Sequence, residues 1–554
     1  MTKIALAQIT TDPGFVSQNL HEVSETIEKA RLLGADLIVF PELTLAGYCH
    51  MDLCYSSSYV EQAEQALKTL KEISKDIAIA IGYMRPIPGL SAGGGKPHLR
   101  NSVAFLADGE IQHIIDKRLL PEYDVFNERR YFEPGENPTA LIEFKGTRIA
   151  VGICEDIVGI GYDLDLSQEL IALNPDVVIS LNASPFHIGK LTSERLPILS
   201  PLAKKIHTPI VYTNLVGSFD NYDGELVFDG QSLVLNENGD VVLCGKAFEQ
   251  DLILYDTNLH YTPLSLQSHP TQDAYEALVL GIREFFRRQK LSHAFIGISG
   301  GIDSAVVAAL CAEALGTEHV TGVTMPSHIT SLETLSDAKV VCQALDITLL
   351  ERPIGPEYDA WLGEFRRSHN GADPNGMTKQ NKQARLRGQI LVEYTNETPS
   401  SVVIATSNKT ELALGYCTLY GDMVGALAPL VDADKMLVYD LARFINAHAQ
   451  REVIPESTIT RPPTAELEEG QTDEENLSAS YSILSPLVNE IIETDTSRED
   501  LIKRYNETLV DDLLRRIDIN EGKRRQAPPG IRLKRGSLGL ETRMPMGVGY
   551  RARR

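Results

Sequence analysis

The run AFIGISGGIDSAVVAALCAEAL occupies residues 294–315 and places a Ser-Gly-Gly turn between an apolar segment and a helical one. Its spacing predicts a strand over 294–299 and a helix from Ser304 to Leu315. Glycines let backbone N–H groups approach a phosphate closely, and the N-terminus of the following helix adds a positive dipole. The run lacks the GxxxxGK[ST] pattern of a Walker loop. A Gly-Gly turn after a strand is common, so the turn alone does not assign a ligand.

Strands and helices continue to alternate on both sides of this run. A helix is expected over 275–288 and another over 333–345, and apolar strands are expected at 320–325, 347–354 and 402–407. Such alternation is typical of a doubly wound parallel sheet. The C-terminal half is therefore predicted to be a Rossmann-like parallel sheet with helices on both faces.

The N-terminal half is also α/β, with more and shorter strands. Turn dipeptides at Asp108-Gly109 and Asn238-Gly239 indicate hairpins, and residues 16–33 and 60–75 have helical spacing. The polar, proline-containing stretch 257–273 separates the halves, and we expect domains at 1–260 and 274–554 joined by a linker at 261–273. The strands are predicted at 4–9, 36–40, 77–83, 101–107, 147–153, 176–184, 209–215 and 232–236.

Composition limits the class of protein. The chain has 554 residues, a net charge of −24 and 43% hydrophobic residues, which is ordinary for globular domains. The acidic balance argues against nonspecific binding to nucleic acid or to anionic membranes. Seven cysteines, an odd number without a CxxC pair, give no disulfide framework. No apolar run approaches the length of a membrane span, and we expect a cytoplasmic protein.

Three chemically capable residues each follow a strand of the first half: Glu42, Lys117 and Cys154. Amide hydrolysis through a thioester needs a thiol nucleophile, a general base for its proton, and a cation or N–H donor for the oxyanion. Cys154, Glu42 and Lys117 supply these in that order, and a lysine beside the thiol favours the thiolate. Taken singly, such residues are more often a buried small hydrophobe, a helix-start acid and a surface charge, and composition and spacing alone do not choose.

A family resemblance favours the catalytic interpretation. The segments FPELTLAGY (40–48), DKRLLPEYDVFNERRYF (116–132) and VGICEDI (151–157) resemble the nitrilase superfamily, whose Glu–Lys–Cys triad falls on Glu42, Lys117 and Cys154. The resemblance implies an α-β-β-α sandwich. NASPFHIGK (182–190) is similar to the glutamine-dependent members of the NAD synthetase family. That similarity implies that glutamine is held by Tyr123, Glu155, Ser184 and Lys190, although the family often has arginine in place of Lys190.

The run around 294–305 resembles the phosphate loop of the N-type ATP pyrophosphatases, which cleave ATP to AMP and pyrophosphate. Glu411 is five residues beyond the strand-end Thr406; alone it would be a first-turn helix acid. The segment 404–435 resembles NAD synthetases, which implies Mg²⁺ on Asp303 and Glu411. ATP would contact Ser299, Gly300, Gly301, Asp303, Ser304, Met325 and Thr406. The dinucleotide would contact Arg385, Asp422, Lys435, Thr464 and Lys523. The basic tail after Gly530 matches none of these motifs.

The resemblances together imply a glutamine-dependent amide ligase that converts deamido-NAD⁺ to NAD⁺ with ATP and Mg²⁺. An alternative is another ATP pyrophosphatase-type ligase with a nitrilase-type glutaminase. GMP and asparagine synthetases have a different triad or an N-terminal cysteine, which Met1-Thr2-Lys3 lacks. A second alternative is an inactive nitrilase-like scaffold, which the complete triad opposes. Stand-alone relatives form dimers, so a homo-oligomer is expected.

Overall fold

The computed structural model describes residues 2–92, 96–222, 224–464, 466–468, 473–538, 542 and 544–546. The chain forms two compact units. The first comprises the described residues up to Asn221 together with Leu226–His269. The second comprises those within Tyr222–Glu225 and those from Pro270 onward. Among the described helices, none combines the length and apolar character needed to span a lipid bilayer.

The first unit is built on two six-stranded sheets, ordered β14-β1-β2-β3-β4-β5 and β13-β12-β9-β8-β7-β6. Strands β1, β2 and β3 are mutually parallel, as are β7, β8 and β9, and the outer strands are antiparallel. The strands up to residue 256 are β1 (Lys3–Gln8), β2 (Leu37–Val39), β3 (Ala78–Ala92), β4 (Lys96–Ala107), β5 (Glu110–Asp116), β6 (Leu141–Phe144), β7 (Thr147–Ile153), β8 (Val177–Asn182), β9 (Ile210–Asn214), β10 (Val216–Asp220), β11 (Gly224–Asp229), β12 (Leu233–Leu235), β13 (Val241–Cys244) and β14 (Asp251–Asp256).

Alternation along each strand produces the layers of the first unit. In β1, Ile4 and Leu6 enter a core shared with Ile149 and Val151 of β7, so the two sheets pack face to face. The intervening Ala5 belongs to a different core on the opposite face of its sheet. Because successive strand residues point to opposite faces, each sheet buries both sides, and helices cover the outer ones. The predicted α-β-β-α sandwich is confirmed. The helices are α1 (Val16–Leu32), α2 (Ser57–Ile73), α3 (Glu155–Val158), α4 (Leu166–Leu173) and α5 (Leu196–Ile206).

The second unit contains a four-stranded, fully parallel sheet in the order β17-β16-β15-β18. Its strands are β15 (His293–Gly297), β16 (Val320–Thr324), β17 (Thr348–Glu351) and β18 (Ser401–Ile404), and a short β19 (Gly530–Ile531) lies outside that sheet. The helices are α6 (Pro270–Gln289), α7 (Ile302–Leu315), α8 (Leu332–Leu345), α9 (Gly355–Ser368), α10 (Gly376–Glu397), α11 (Lys409–Leu414), α12 (Lys435–Ala449), α13 (Glu456–Thr460), α14 (Asp473–Leu477), α15 (Tyr481–Glu493), α16 (Arg498–Leu501), α17 (Glu507–Ile519) and α18 (Glu521–Arg524).

Both faces of this parallel sheet are buried, as the doubly wound prediction requires. Phe295 packs with Ile390 of α10 on one face, whereas Ala294 and Ile296 are fully buried on the other. Helix α6 begins at Pro270, five residues before the predicted start, because proline suits the first helical position, where its missing N–H costs nothing.

The first part of the basic tail, residues 532–537, contributes to the interior of the second unit. Arg532 and Leu533 are fully buried, and the Oδ2 atom of Asp432 accepts hydrogen bonds from the backbone N–H groups of Leu533 and Lys534, each at 2.7 Å, and from the hydroxyl of Ser537 at 2.6 Å. Residues 532–537 are therefore a structural part of the unit.

Lys409 is the centre of this interior ion network. Its ammonium group is fully buried, 3.0 Å from Oδ1 of Asp432 and 2.7 Å from Oε1 of Glu493. Lys534 lies 3.7 Å from the same Glu493 oxygen and 2.7 Å from Asp434. A buried ammonium is tolerated only when opposite charges are held against it. The network thus ties α11, α15 and the tail together.

We expect Lys409→Met to lower the free energy of unfolding of the second unit by about 3–5 kcal/mol, because it leaves buried carboxylates unpaired. The fluorescence of Trp361, the only tryptophan of the chain, reports on that unit during urea unfolding. Lys503→Met is the matched control, since its partner Asp500 is half exposed. Equal effects of the two substitutions would contradict the assignment of Lys409.

Candidate active sites

Cys154 occupies a strained turn between β7 and α3. Its backbone has φ 44° and ψ −99°, a conformation that a residue with a side chain rarely adopts. The Cys154 N–H donates to the carbonyl oxygen of Leu181 at 3.0 Å, which fixes the turn against β8. Strain of this kind persists where surrounding structure holds it, and it gathers at functional sites.

Glu42 and Lys117 meet in the interior of the same unit. Both side chains are fully buried, and Nζ of Lys117 lies 2.7 Å from Oε1 of Glu42. That oxygen also accepts from the side-chain amide of Asn101 at 2.7 Å, and Oε2 accepts from the backbone N–H of Ala183 at 3.1 Å. Strand β3 packs closely against the segment that carries Glu42: a Cβ added at Gly82 would lie 2.2 Å from the nitrogen of Leu43.

Glu128 is a second carboxylate on Lys117 that the sequence analysis did not single out. Its two oxygens accept from Nζ of Lys117 at 2.8 and 2.9 Å, and the hydroxyl of Tyr48 lies 3.4 Å from Oε1. Burial raises the pKa of Glu128, and Lys117 offsets part of that rise. Burial opposes the charge of Lys117, but Glu128 and Glu42 hold its pKa well above the ordinary value. In the sequence, the only sign of Glu128 was its place eleven residues after Lys117, within the segment 116–132 that resembles the nitrilase superfamily.

The resting thiol of Cys154 is neutral. Burial and the charge of Glu42 raise its pKa well above the ordinary value, and Lys117 lowers it by less. Lys117 thus favours the thiolate as expected, but burial of the thiol and the charge of Glu42 outweigh it. A neutral buried thiol needs a general base at the moment of attack, and the Glu42 carboxylate is the candidate.

Asp156 joins the cysteine turn to the segment after Lys117. Its Oδ1 accepts from the backbone N–H groups of Arg118 at 3.0 Å and Leu119 at 2.8 Å. Burial raises the pKa of Asp156 to about 6, and these N–H groups limit the rise. The carboxylate thereby fixes the direction in which the lysine enters the site.

The four residues expected to hold glutamine differ in what they contact. The hydroxyl of Tyr123, a half-exposed residue, donates to both oxygens of Glu155, at 3.0 and 2.9 Å, directly beside Cys154. The backbone N–H of Ser184 donates to Asn214. The ammonium group of Lys190 is buried, donates to the carbonyl of Pro185 at 2.7 Å and lies 3.7 Å from Glu194. The structure therefore joins Tyr123 to Glu155, whereas Lys190 is bound to its own loop.

The glycine turn of the second unit is closely packed. Gly300 has φ +81°, and an added Cβ would lie 2.2 Å from the carbonyl oxygen of Thr334, so only glycine fits. The Ser299 hydroxyl accepts from the N–H of Gly301 at 3.1 Å, and the Ser304 hydroxyl donates to the Gly301 carbonyl at 2.9 Å. Helix α7 begins directly after the turn, which leaves its first N–H groups available to an anion.

Asp303 and Glu411, the proposed metal ligands, lie against one lysine. Nζ of Lys435 is 2.5 Å from Asp303 and 3.0 Å from Glu411, and the lysine is buried. Burial raises the pKa of Glu411. The charge of Lys435 offsets part of this rise, and the charge of Asp303 adds to it. Asn408 donates to Asp303 at 3.0 Å and Tyr481 donates to Glu411 at 3.2 Å. Within the described residues, no group of three or more His, Cys, Asp or Glu side chains is arranged to hold a metal.

Two residues expected near the dinucleotide face one short segment. The ammonium group of Lys523 donates to the carbonyls of Gly415 and Cys417, both at 2.8 Å. Asp422 accepts from the N–H of Thr418 at 2.6 Å, and burial raises its pKa to about 6. The structure thus places both side chains on residues 415–418.

The remaining expected contacts are more dispersed. Arg385 donates to the carbonyl of Leu419 at 3.1 Å, and Thr464 accepts from the N–H of Glu466 at 3.1 Å. Thr406 follows β18, which neighbours β15 in the sheet, so it lies at the same sheet edge as the glycine turn. Met325 follows β16 and is buried, and its carbonyl accepts from Arg387 at 3.1 Å.

Comparisons with known proteins agree with both halves. The chain matches the carbon-nitrogen hydrolase family over residues 3–263 and the NAD synthase family over 274–527. It is 36% identical to the glutamine-dependent NAD(+) synthetase of Acinetobacter baylyi and 35% identical to that of Synechocystis sp., over 99% of each chain. The structure of the glutamine-dependent NAD⁺ synthetase from Acinetobacter baumannii in complex with ADP is similar with a TM-score of 0.77 at 33% identity, over 100% of this chain and 99% of that one.

We expect Glu128→Gln to move the pH midpoint of Cys154 alkylation downward, because it removes a negative charge that raises the pKa of the thiol. The measurement is the rate of iodoacetamide labelling of the Cys154 peptide by mass spectrometry against pH. Glu133→Gln, at a half-exposed glutamate that pairs with His98, is the control and should leave the midpoint in place. An unchanged or higher midpoint in Glu128→Gln would show that Glu128 does not set the charge state of the thiol.

Proposed function

The chain belongs to the glutamine-dependent NAD⁺ synthetases, and we propose how its residues divide the work of that reaction. The first unit hydrolyses glutamine to glutamate and ammonia. The second transfers AMP from ATP to the nicotinate carboxylate of deamido-NAD⁺, releasing pyrophosphate, and ammonia then displaces AMP to give NAD⁺. The observation that carries the first half is the fully buried Glu42–Lys117 pair beside the strained Cys154 turn.

In the amidase, Glu42 takes the thiol proton as the sulfur of Cys154 attacks the carboxamide carbon of glutamine. The tetrahedral oxyanion collapses to a thioester as ammonia leaves with that proton. Water, deprotonated by Glu42, then hydrolyses the thioester and regenerates the thiol. Lys117 supplies positive charge beside the oxyanion, and Glu128 keeps that lysine protonated. The neutral resting thiol supports general-base activation over a preformed thiolate.

Glutamine is proposed to be held by Tyr123, Glu155, Ser184 and Lys190. Tyr123 and Glu155 already contact one another next to the nucleophile, and a carboxylate there suits the α-ammonium group of an amino acid. The ammonium group of Lys190 donates to the carbonyl of Pro185, so it must leave that contact to reach glutamine. We assign residues 1–260 to the amidase, 261–273 to a linker and 274–554 to the synthetase.

In the synthetase, the turn of Ser299, Gly300 and Gly301, with Ser304, is proposed to bind the pyrophosphate part of ATP. A glycine turn that opens a fourteen-residue helix supports this, as does the bound ADP named for the similar Acinetobacter baumannii enzyme. ATP is further proposed to contact Met325, on its adenosine side, and Thr406. The dinucleotide is proposed to contact Arg385, Asp422, Lys435, Thr464 and Lys523.

Mg²⁺ is proposed at Asp303 and Glu411. Two carboxylates fit this ion, because protein sites for Mg²⁺ commonly supply only one or two and leave the other positions to phosphate and water. When bound, the metal would supply charge stabilisation for the departing pyrophosphate. Lys435 holds the two carboxylates together and balances their charge. We further propose a cytoplasmic homo-oligomer that binds neither nucleic acid nor membranes, in keeping with the net charge of −24.

We expect Cys154→Ala to abolish NAD⁺ formation from glutamine while NAD⁺ formation from ammonium chloride stays near the wild-type rate. The nucleophile and the phosphate turn lie in different compact units, so loss of one chemistry should spare the other. Both rates are measured by NAD⁺ production from deamido-NAD⁺, ATP and Mg²⁺. Cys244→Ala, in the same unit, is the control and should leave both rates in place. Loss of both activities in folded Cys154→Ala protein would refute the two-site proposal.

We expect Glu411→Gln to reduce NAD⁺ synthesis from either nitrogen donor by about 10²-fold or more, because it removes a charged metal ligand while keeping the side-chain size. Glutamate release should persist. Glu507→Gln, on the surface of the same unit, provides a matched control. Near-normal ammonium-dependent synthesis in Glu411→Gln would eliminate the metal assignment.

A further inference from the structure

Asn101 is the one described residue that hydrogen-bonds to both Glu42 and Lys117. It lies in β4 and is fully buried. Its side-chain amide donates to Oε1 of Glu42 at 2.7 Å, and its backbone carbonyl accepts from the N–H of Lys117 at 2.8 Å. A single residue thus fixes the distance between the base and the start of the lysine side chain.

Other buried asparagines of the first unit use both ends of the amide to tie the backbone. Asn19 accepts from the N–H of Asp12 and donates to the carbonyls of Asp12 and Leu45. Asn182 likewise accepts from Ser180 and donates to the carbonyls of Ser180 and Thr213. Within the part of the chain that the structure describes, Oδ1 of Asn101 has no hydrogen-bond partner. Among the described residues, the side-chain hydrogen bond of Asn101 is therefore with Glu42 alone, unlike those of Asn19 and Asn182.

The orientation of the Glu42 carboxylate depends on this contact. Oε1 receives Lys117 and Asn101, and Oε2 receives the N–H of Ala183. Lys117 is shared with Glu128, so its ammonium group alone would let the carboxylate turn about its terminal torsion. The Asn101 amide on Oε1, together with the backbone N–H of Ala183 on Oε2, fixes that torsion without adding a charge.

We propose that Asn101 is a positioning residue of the glutamine amidase, the donor that holds Glu42 in the orientation of a general base toward Cys154. The inference rests on the proposed amidase function. It adds a residue that acts on the base and does not touch glutamine.

The surroundings of this contact bear on its pH dependence. Asp116, with Arg85 and Arg100, lies on the opposite face of β4, where it accepts from Ser102. The titratable groups that interact electrostatically with Glu42, Lys117 or Cys154 include Tyr48, Tyr123, Glu128, Glu155, Asp156, Tyr162 and Tyr212.

The test uses Asn101→Ala and Asn101→Asp in the full-length chain. We expect Asn101→Ala to lower kcat for glutamate release roughly 10- to 100-fold, as for loss of one hydrogen bond to a charged group. KM for glutamine should change less than about threefold, because the residue does not bind substrate. Glutamate release is assayed with ATP, Mg²⁺ and deamido-NAD⁺ present.

The pH dependence of Asn101→Asp distinguishes a positioning role from a purely structural one. When its new carboxyl is protonated, the O–H can donate to Glu42 as the amide did. When it is ionised, two adjacent carboxylates repel and the base is displaced. Its activity relative to wild type should therefore rise as pH falls, whereas that of Asn101→Ala should stay low at every pH.

Asn19→Ala is the matched control, since it removes a buried asparagine that does not contact the triad, and its kcat should stay near the wild-type value. A kcat for Asn101→Ala within threefold of wild type overturns the inference. So does a pH-independent ratio for folded Asn101→Asp. If Asn101→Asp does not fold, Asn101→Ala decides: a loss of kcat with little change in KM supports the inference, and a loss confined to KM overturns it. Absence of glutamate release in wild type would instead refute the amidase function itself.

Discussion

Burial of an ammonium group is the constraint on which both units depend. Transfer of an isolated charge into the interior is unfavourable by several kcal/mol, so each buried lysine must be held by carboxylates. Lys117 has Glu42 and Glu128, Lys435 has Asp303 and Glu411, and Lys409 has Asp432 and Glu493. In each set two acids face one lysine.

The three sets differ in how the charge of the second carboxylate is compensated. At Lys409, a second cation, Lys534, and backbone N–H groups on Asp432 complete the balance, and the set is structural. At Lys117 and Lys435 the nearby acids Glu128 and Glu411 have a raised pKa instead. Sites left with surplus negative charge favour uptake of a proton or a metal cation, which is what a general base and a Mg²⁺ site require.

The sandwich of the first unit was implied by the family resemblance, whereas local patterns in the sequence predicted the parallel sheet of the second unit, the strand-end positions of Glu42, Lys117 and Cys154, and the Gly300 turn. These features follow from strand periodicity and from glycine stereochemistry, which neighbouring residues determine. The contact of Asn101 with Glu42 joins residues fifty-nine apart in the chain, and no periodicity encodes it. From the sequence, the tail after Gly530 could be described only as basic, because the partners of Leu533 and Lys534, Asp432 and Glu493, belong to distant segments. Long-range ion networks therefore account for what the sequence analysis missed.

The charge around Cys154 could not be predicted from the sequence either, because it depends on contacts between distant segments. This charge has a chemical consequence. A lysine next to a cysteine suggests a thiolate only when nothing else pairs with that lysine. Burial of Cys154 and the charge of Glu42 raise the pKa of the thiol, and Lys117, which is paired with Glu42 and Glu128, lowers it by less, so the thiol stays protonated at rest. Since oxidation and alkylation require the thiolate, such a cysteine is protected until a substrate arrives. Proton transfer to Glu42 must then accompany attack on glutamine, and the geometry of that carboxylate becomes as important to the rate as the nucleophile.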